Sequence, residues 1–487
     1  MRIRNGWIAG LWLLLESLTA EPVDLPPWRH EFLKTYQAVE VGTTAIRHRE
    51  LHEQLNSLLT GFPKPIRRDT IGYSLEGRSI HLIRFGQGSH RVLMWSQMHG
   101  DEPTATLAIL DILAYIKAHP DQSWLDPIWN NLEVLIVPML NPDGAERNQR
   151  RNAQDIDINR DARRLQTPEG RLLKSLQERY QPEYAFNLHD QTAYNSVGNS
   201  KQIAAFALLA PAFDEKKSDN AVRDKAKRVC GYLHQLLSES IPGHIARYDD
   251  EFEPRAFGDN IQYWGSSTIL IESGGWPHDP EKNLIRRYHT LALAAVLHAI
   301  ATETITTPIT IYESIPFNQS RMMDLIIRNA TLHLDTLSYQ ADLGINLQID
   351  YSVHPPRYCK GMIQEIGDLS TYCGITEIDA QRGDIYPGIP LETDSIRSRR
   401  LSETQDSLIH LWRTGYHAIQ TGQGSNRLLT ALPSLISPTA TLIAPDSSPF
   451  RFSIRRSADF SWYEKGELRA IWSAGRLVWS RDSSVTP

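Results

Sequence analysis

Short runs that are apolar throughout alternate with amphipathic stretches over the first three hundred residues. Residues 92–96 (VLMWS) read as a buried strand, and 132–140, 184–188 and 268–271 repeat the pattern. Between these runs, apolar residues recur at three- and four-residue intervals over 103–118, 169–180, 221–239 and 279–301, which predicts helices, the first opened by its proline. Residues 79–85 alternate as a strand after turn chemistry at 72–77, and residues 23–62 predict a helical segment. Strands without a polar face, separated by helices, indicate a mostly parallel sheet covered on both sides. In such sheets ligands bind beyond the carboxyl ends of the strands.

The pattern changes after Ala301. A Thr-rich stretch leads into Pro308, and residues 309–316, 323–352, 450–455, 460–463, 468–472 and 476–479 predict strands, the last three joined by Gly-containing turns. One helix is predicted over 403–420, because Ser402 with Gln405 three residues on forms a capping-box pattern. The chain then divides into residues 1–20, an N-terminal helical segment 21–64, an α/β unit 65–305 and a β-rich C-terminal region 308–487 of unknown role. Trp462, Trp472 and Trp479 are expected in the core of that region.

Residues 1–20 stand apart. Two arginines precede a nine-residue apolar run at 7–15, and Leu18-Thr-Ala20 follows, which is the pattern of a secretory signal peptide cleaved after Ala20. Export, to a periplasm or the outside, is the expectation. The net charge of −6 over 487 residues lacks the footprint of a nucleic-acid binder. No apolar run reaches about 18 residues, so stable membrane insertion is not expected. The three cysteines cannot build a disulfide framework; Cys359 and Cys373 either pair in an oxidising compartment or remain core thiols with Cys230.

Polar residues gather where the strands end. His99 and Glu102 follow the first strand, and Asn141-Pro-Asp-Gly144 and then Arg150 and Arg151 follow the second. Asp157, Asn159, Arg160 and Asp161 come next, His189 ends the third strand, and Glu272 ends the fourth. A zinc hydrolase needs three His or carboxylate ligands with an open position for water. It also needs a carboxylate beside that water and a cation for the developing oxyanion. Each piece alone has an ordinary structural reading; together they supply that inventory.

The order His99-x-x-Glu102, Asn141-Pro-Asp-Gly144, Arg150, Asp157-x-Asn159-Arg160, His189 and Glu272 resembles the zinc carboxypeptidases of the carboxypeptidase A type, over about residues 65–305. The resemblance implies a mixed, mostly parallel sheet of about eight strands flanked by helices. It implies one zinc ion per chain on His99, Glu102 and His189, with Asp157 orienting His99. Glu272 would be the general base, and Arg150, or Arg151 one residue on, would polarise the scissile carbonyl. Asn159 and Arg160 would hold the terminal carboxylate of the substrate. The expected partner is a peptide or amide substrate with a free carboxylate; oligomeric state is not legible.

Several positions depart from the family pattern. The setting of Tyr248 differs from that of the family's mobile tyrosine, Asp161 stands where many relatives have Asn, and Ser273-Gly-Gly275 follows the base, features closer to bacterial relatives. Residues 255–260 would line the side-chain pocket, where Arg255 favours an acidic substrate residue, Asp259 a basic one, or the two pair. The leading expectation is an exported zinc metallocarboxypeptidase cleaving the C-terminal amide bond of peptides. The alternatives are a zinc amidase on cell-wall peptides or N-acyl amino acids, and a non-catalytic binding protein on a peptidase fold.

Overall fold

The computed structural model describes residues 25–41, 45–334, 337–350, 357–387, 389–392, 416–420, 441–443, 458, 460–465, 467–473 and 476–480. The predicted signal peptide lies outside them. Helices α1 (Arg29–Thr35) and α2 (His48–Leu59) lead into a hairpin of β1 (Ile66–Tyr73) and β2 (Ser79–Phe85). Then come β3 (His90–Ser96), α3 (Thr104–Ala118), α4 (Leu125–Asn131), β4 (Leu132–Val137), α5 (Pro142–Arg147), α6 (Pro168–Tyr180) and β5 (Tyr184–Asp190). After β6 (Asn195–Val197) follow β7 (Phe206–Leu209), α7 (Ala221–Ser238), β8 (Ile245–Arg247), α8 (Phe257–Tyr263), β9 (Ser267–Ser273) and α9 (Asn283–Ala301).

Eight of these strands form one mixed sheet in the order β1-β2-β4-β3-β5-β9-β7-β8. β4, β3, β5 and β9 run parallel at its centre, with antiparallel pairings at β1–β2, β2–β4 and β7–β9. Successive residues of a strand point to opposite faces, and here both faces are covered. Val92 and Met94 join the core built with α3, α7 and α9, whereas Leu93 and Trp95 join a second core with α6 and α8. That two-sided burial is why the central strands carry no polar face.

The N-terminal segment is two helices rather than one continuous stretch, and it enters the first core through Phe32, Ile46, Leu51 and Leu55. A buried ion pair reinforces it. Arg286 of α9 donates to Asp111 of α3 at 2.6 and 2.5 Å, and the same carboxylate accepts from Tyr36 Oη at 2.6 Å and the Val39 amide at 2.7 Å.

Beyond α9, residues 309–313 form a short helix, α10 (Ile309–Glu313), within the stretch 309–316 expected as a strand. Tertiary contact overrides the pattern: Tyr312 is buried and its hydroxyl accepts from the Ala210 amide at 3.1 Å. β10 (Asn318–Ser320) then pairs with β6. The β-rich region contains β11 (Met322–Leu334), β12 (Leu337–Asp350), β13 (Arg357–Gly367), β14 (Cys373–Asp379), β15 (Asp384–Pro387), β16 (Ile389–Glu392), β17 (Tyr416–Gln420) and β18 (Thr441–Ile443). It ends with β19 (Phe460–Glu464), β20 (Glu467–Ser473) and β21 (Arg476–Ser480). Its main sheet has the order β13-β12-β11-β15-β19-β20-β21, with β14 on β11.

The helix expected over 403–420 is corrected at its end. Residues 416–420 are a strand between β16 and β18, because a middle strand satisfies its backbone with two neighbours; residues 403–415 lie outside the described residues, as do 450–455. Trp462 is buried in the core of this region, and Cys230 and Cys373 are free buried thiols, so the Cys359–Cys373 pairing is not formed. Among the described residues no helix is long and apolar enough to cross a membrane.

Candidate metal centre and its cavity

The centre is assembled at the carboxyl ends of β3, β5 and β9. His99 and Glu102 lie in the turn after β3, closed by a hydrogen bond from the Glu102 amide to the His99 carbonyl at 3.2 Å. Gly100 is required in that turn, since a Cβ there would stand 2.0 Å from the backbone carbon of Gly144. His189 is near the end of β5, and its register partner on β9 is Glu272. All four residues are buried.

His99 Nε2 is 3.1 Å from Asp157 Oδ1. The carboxylate only accepts, so an ion on Nδ1 would leave the ring proton on Nε2, where Asp157 holds it. Around that Nδ1 stand Glu102 Oε1 at 2.8 Å and His189 Nδ1 at 3.1 Å, and Glu102 Oε2 is 2.7 Å from His189 Nδ1. Two imidazole nitrogens and a carboxylate lie within 4.8 Å of one another. Lone pairs and a negative charge that converge in a buried place need a cation between them, and three His and carboxylate donors are the set of a catalytic zinc site. The residues fit the metal.

The electrostatics divide the carboxylates. Burial opposes the charge of Glu102, but His189 and His99 outweigh it and hold this carboxyl far below its usual range. Burial likewise opposes Asp157, and His99 and Arg150 pull it down. Glu272 goes the other way: burial, then the charges of Glu102 and Asp190, push it well above the usual carboxylate range. Asp190, raised by burial, is held by Thr104 Oγ1 at 2.5 Å and Lys282 Nζ at 3.0 Å. This supporting pair was not singled out in the sequence; the only signal was its place beside His189.

Arg150 and Arg151 part company. Arg150 donates to Asp157 through Nε at 3.0 Å and its Nη1 is 3.0 Å from His99 Nδ1, so the guanidinium faces the centre. Arg151 turns to the Asp155 carbonyl at 2.8 Å, on the exposed side. Asn141-Pro-Asp-Gly144 is more than a turn: the Asn141 side chain accepts from the Gly144 amide at 2.9 Å and donates to the Arg150 carbonyl at 3.2 Å.

Asn159, Arg160 and the centre share one cavity of about 640 Å³. The Asn159 side-chain oxygen accepts from the Phe257 amide at 2.9 Å. Arg160 leans on Glu253 at 3.3 Å. Asp161 faces away, accepting from the Gln166 and Thr167 amides at 2.8 Å each, where it orders the entry to α6. Tyr248 lines the cavity, with its hydroxyl pushed up to about 12 by burial and by Glu272. Arg255 and Asp259 do not pair. Arg255 is exposed and bound to Glu253 at 2.8 Å, whereas Asp259 lines the cavity, raised to about 7 by burial. Asp249, Glu251 and Glu253 add acidic character that spacing did not reveal, and Asn318 brings β10 to the rim through Gln191 at 2.7 Å.

Residues 51–210 match the model of the zinc carboxypeptidase family. Probable carboxypeptidase 2 of Arthroderma benhamiae is 34% identical over 128 residues, covering 26% of this chain and 24% of the relative. Carboxypeptidase D of Drosophila melanogaster is 29% identical over 138 residues, covering 23% of this chain and 10% of the relative. The chain thus spans about a quarter or less of the length of these curated relatives. Among solved structures, a metallo-carboxypeptidase from Burkholderia cenocepacia superposes with a TM-score of 0.41 at 17% identity, covering 52% of this chain and 68% of that one.

Proposed function

We propose that this chain is a zinc-dependent metallocarboxypeptidase that hydrolyses the C-terminal amide bond of peptides. The observation that carries the reading is the convergence of His99, Glu102 and His189 beside a buried Glu272, in one cavity with Arg150, Asn159 and Arg160. His99, Glu102 and His189 would hold the ion, which when bound supplies Lewis acidity and an acidified water. Arg160 and the side-chain amide of Asn159 bind the terminal carboxylate of the substrate, which sets the scissile bond a fixed distance from the chain end. Glu272, raised by burial, takes a proton from the attacking water and returns it to the leaving nitrogen. Arg150, held by Asp157, stabilises the developing oxyanion.

Export belongs to the same proposal and rests on the basic, apolar and small-residue pattern of residues 1–20. The test is metal content and hydrolysis together, on peptides with free and amidated C-termini. Bound zinc with release of residues only from free C-termini is the expected result. Zinc with turnover of blocked amides instead would move the assignment to an amidase, and zinc with substrate binding but no turnover would make the chain a binding protein.

A further inference from the structure

A second group of metal-binding side chains lies outside this cavity. His48 and His52 stand one turn apart on α2, and His81 is on β2. Side chains four residues apart share a helix face. On β2, the neighbours of His81, Ile80 and Leu82, point into the second core, so His81 points to the opposite face of the sheet. One ring nitrogen from each histidine lies within 4.8 Å of the other two.

The distances have the scale of a coordination shell. His52 Nδ1 is 3.2 Å from His81 Nε2, and the Ser79 hydroxyl oxygen is 3.0 Å from His81 Nε2 and 3.3 Å from His48 Nε2. Donors about 2.0–2.1 Å from a tetrahedral zinc stand about 3.3 Å from one another. Thr70 Oγ1 on β1 is 3.4 Å from His81 Nδ1, the position of the outer contact that orients a ligating imidazole. His48 Nε2 also meets the Ser79 carbonyl at 3.0 Å, so coordination through that atom moves the ring proton to Nδ1 without changing the charge of the ring.

We propose that His48, His52 and His81 form a second transition-metal site, independent of the catalytic centre, that fastens α2 to the β1–β2 hairpin. The donor set selects the class of ion. No carboxylate belongs to the cluster, and the nearby charges are of both signs, Arg68 acting on His81 and Arg78 and Glu146 on His48, so the donor type rather than net charge selects the ion. Hard cations such as calcium and magnesium need oxygen ligands. Imidazole suits zinc, copper and nickel.

The experiment uses the full chain, stripped by a chelator and re-equilibrated with zinc alone, with ions counted per chain. The parent should hold two, His52→Gln one, His189→Gln one, and the double variant none. In His189→Gln the remaining ion should raise the midpoint of thermal unfolding, and this rise should vanish when His52→Gln or His81→Gln is added. His52 is only half-buried, so its replacement tests the site without opening the core. Equal zinc in the parent and His52→Gln, or no zinc in His189→Gln, would overturn the proposal. One ion kept in His189→Gln and lost in His52→Gln, with none at the cavity of the parent, would support this site and count against the zinc hydrolase reading alone.

Discussion

His189 and Glu272 are register partners on the adjacent parallel strands β5 and β9. Residues paired this way point to the same side of the sheet, so one pairing sets a metal donor beside the carboxyl that handles the proton. A slip of one residue would send either side chain to the opposite face. Burial of the pair at the strand ends also raises Glu272.

Replacing Glu272 with Gln preserves shape and removes the proton acceptor. We expect kcat to fall by about 10²–10⁴-fold with zinc content unchanged. Steady-state kinetics alongside metal analysis checks this, and undiminished turnover would remove Glu272 from the chemistry.

Asp157→Asn weakens the acceptor that holds the ring proton of His99 on Nε2. Zinc affinity should fall about 10–100-fold, measured by competition with a chromophoric chelator. An unchanged affinity would leave Asp157 a role only in holding Arg150.

Arg160→Gln removes a charge-assisted contact to the substrate carboxylate, of the kind worth about 1.5–3 kcal/mol. KM for peptides with free C-termini should rise about 10–100-fold, while kcat stays within about threefold. A fall in kcat with KM unchanged would sink the carboxylate assignment.

Asp259 is neutral below its value of about 7 and charged above it. An acid raised in this way gains its charge as pH rises, so preference for a C-terminal Lys or Arg over Leu should increase from pH 6 to pH 8. The Asp259→Asn variant should show a flat ratio. A wild-type ratio that does not move with pH would take Asp259 out of the selectivity.

Asp111→Ala would leave Arg286 buried without its partner and free Tyr36 and the Val39 amide. Removing one member of a buried pair costs about 3–5 kcal/mol. Denaturant unfolding should show a loss of this order, together with faster proteolysis near residues 36–41. A change under about 1 kcal/mol would place the pair among surface ion pairs in its effect.

Much of the fold was legible because its central strands are apolar on both faces and its long helices carry regular spacing. β1 was missed: as an exposed edge strand bearing Arg67, Arg68 and Asp69, it lacks that apolar signature. The strand expected at 309–316 is a short helix over 309–313, whose Tyr312 is buried with its hydroxyl on the Ala210 amide, a partner about a hundred residues away in the chain.

The site residues were also visible in one dimension, since His99, Glu102, His189 and Glu272 follow or end apolar runs and such ends gather at one edge of a parallel sheet. Their identities, order and chemical capacity are properties of the sequence alone. Tertiary structure decided which neighbour does what: that Arg150 and not Arg151 faces His99, that Asp161 holds Thr167, the cap of α6, and that Arg255 pairs with Glu253 while Asp259 is buried in the cavity. It also brought His81 against His48 and His52, which spacing on α2 could not foretell. Local periodicity records which face of an element is buried, but the direction of a polar side chain depends on partners distant in the chain, and only packing brings those together.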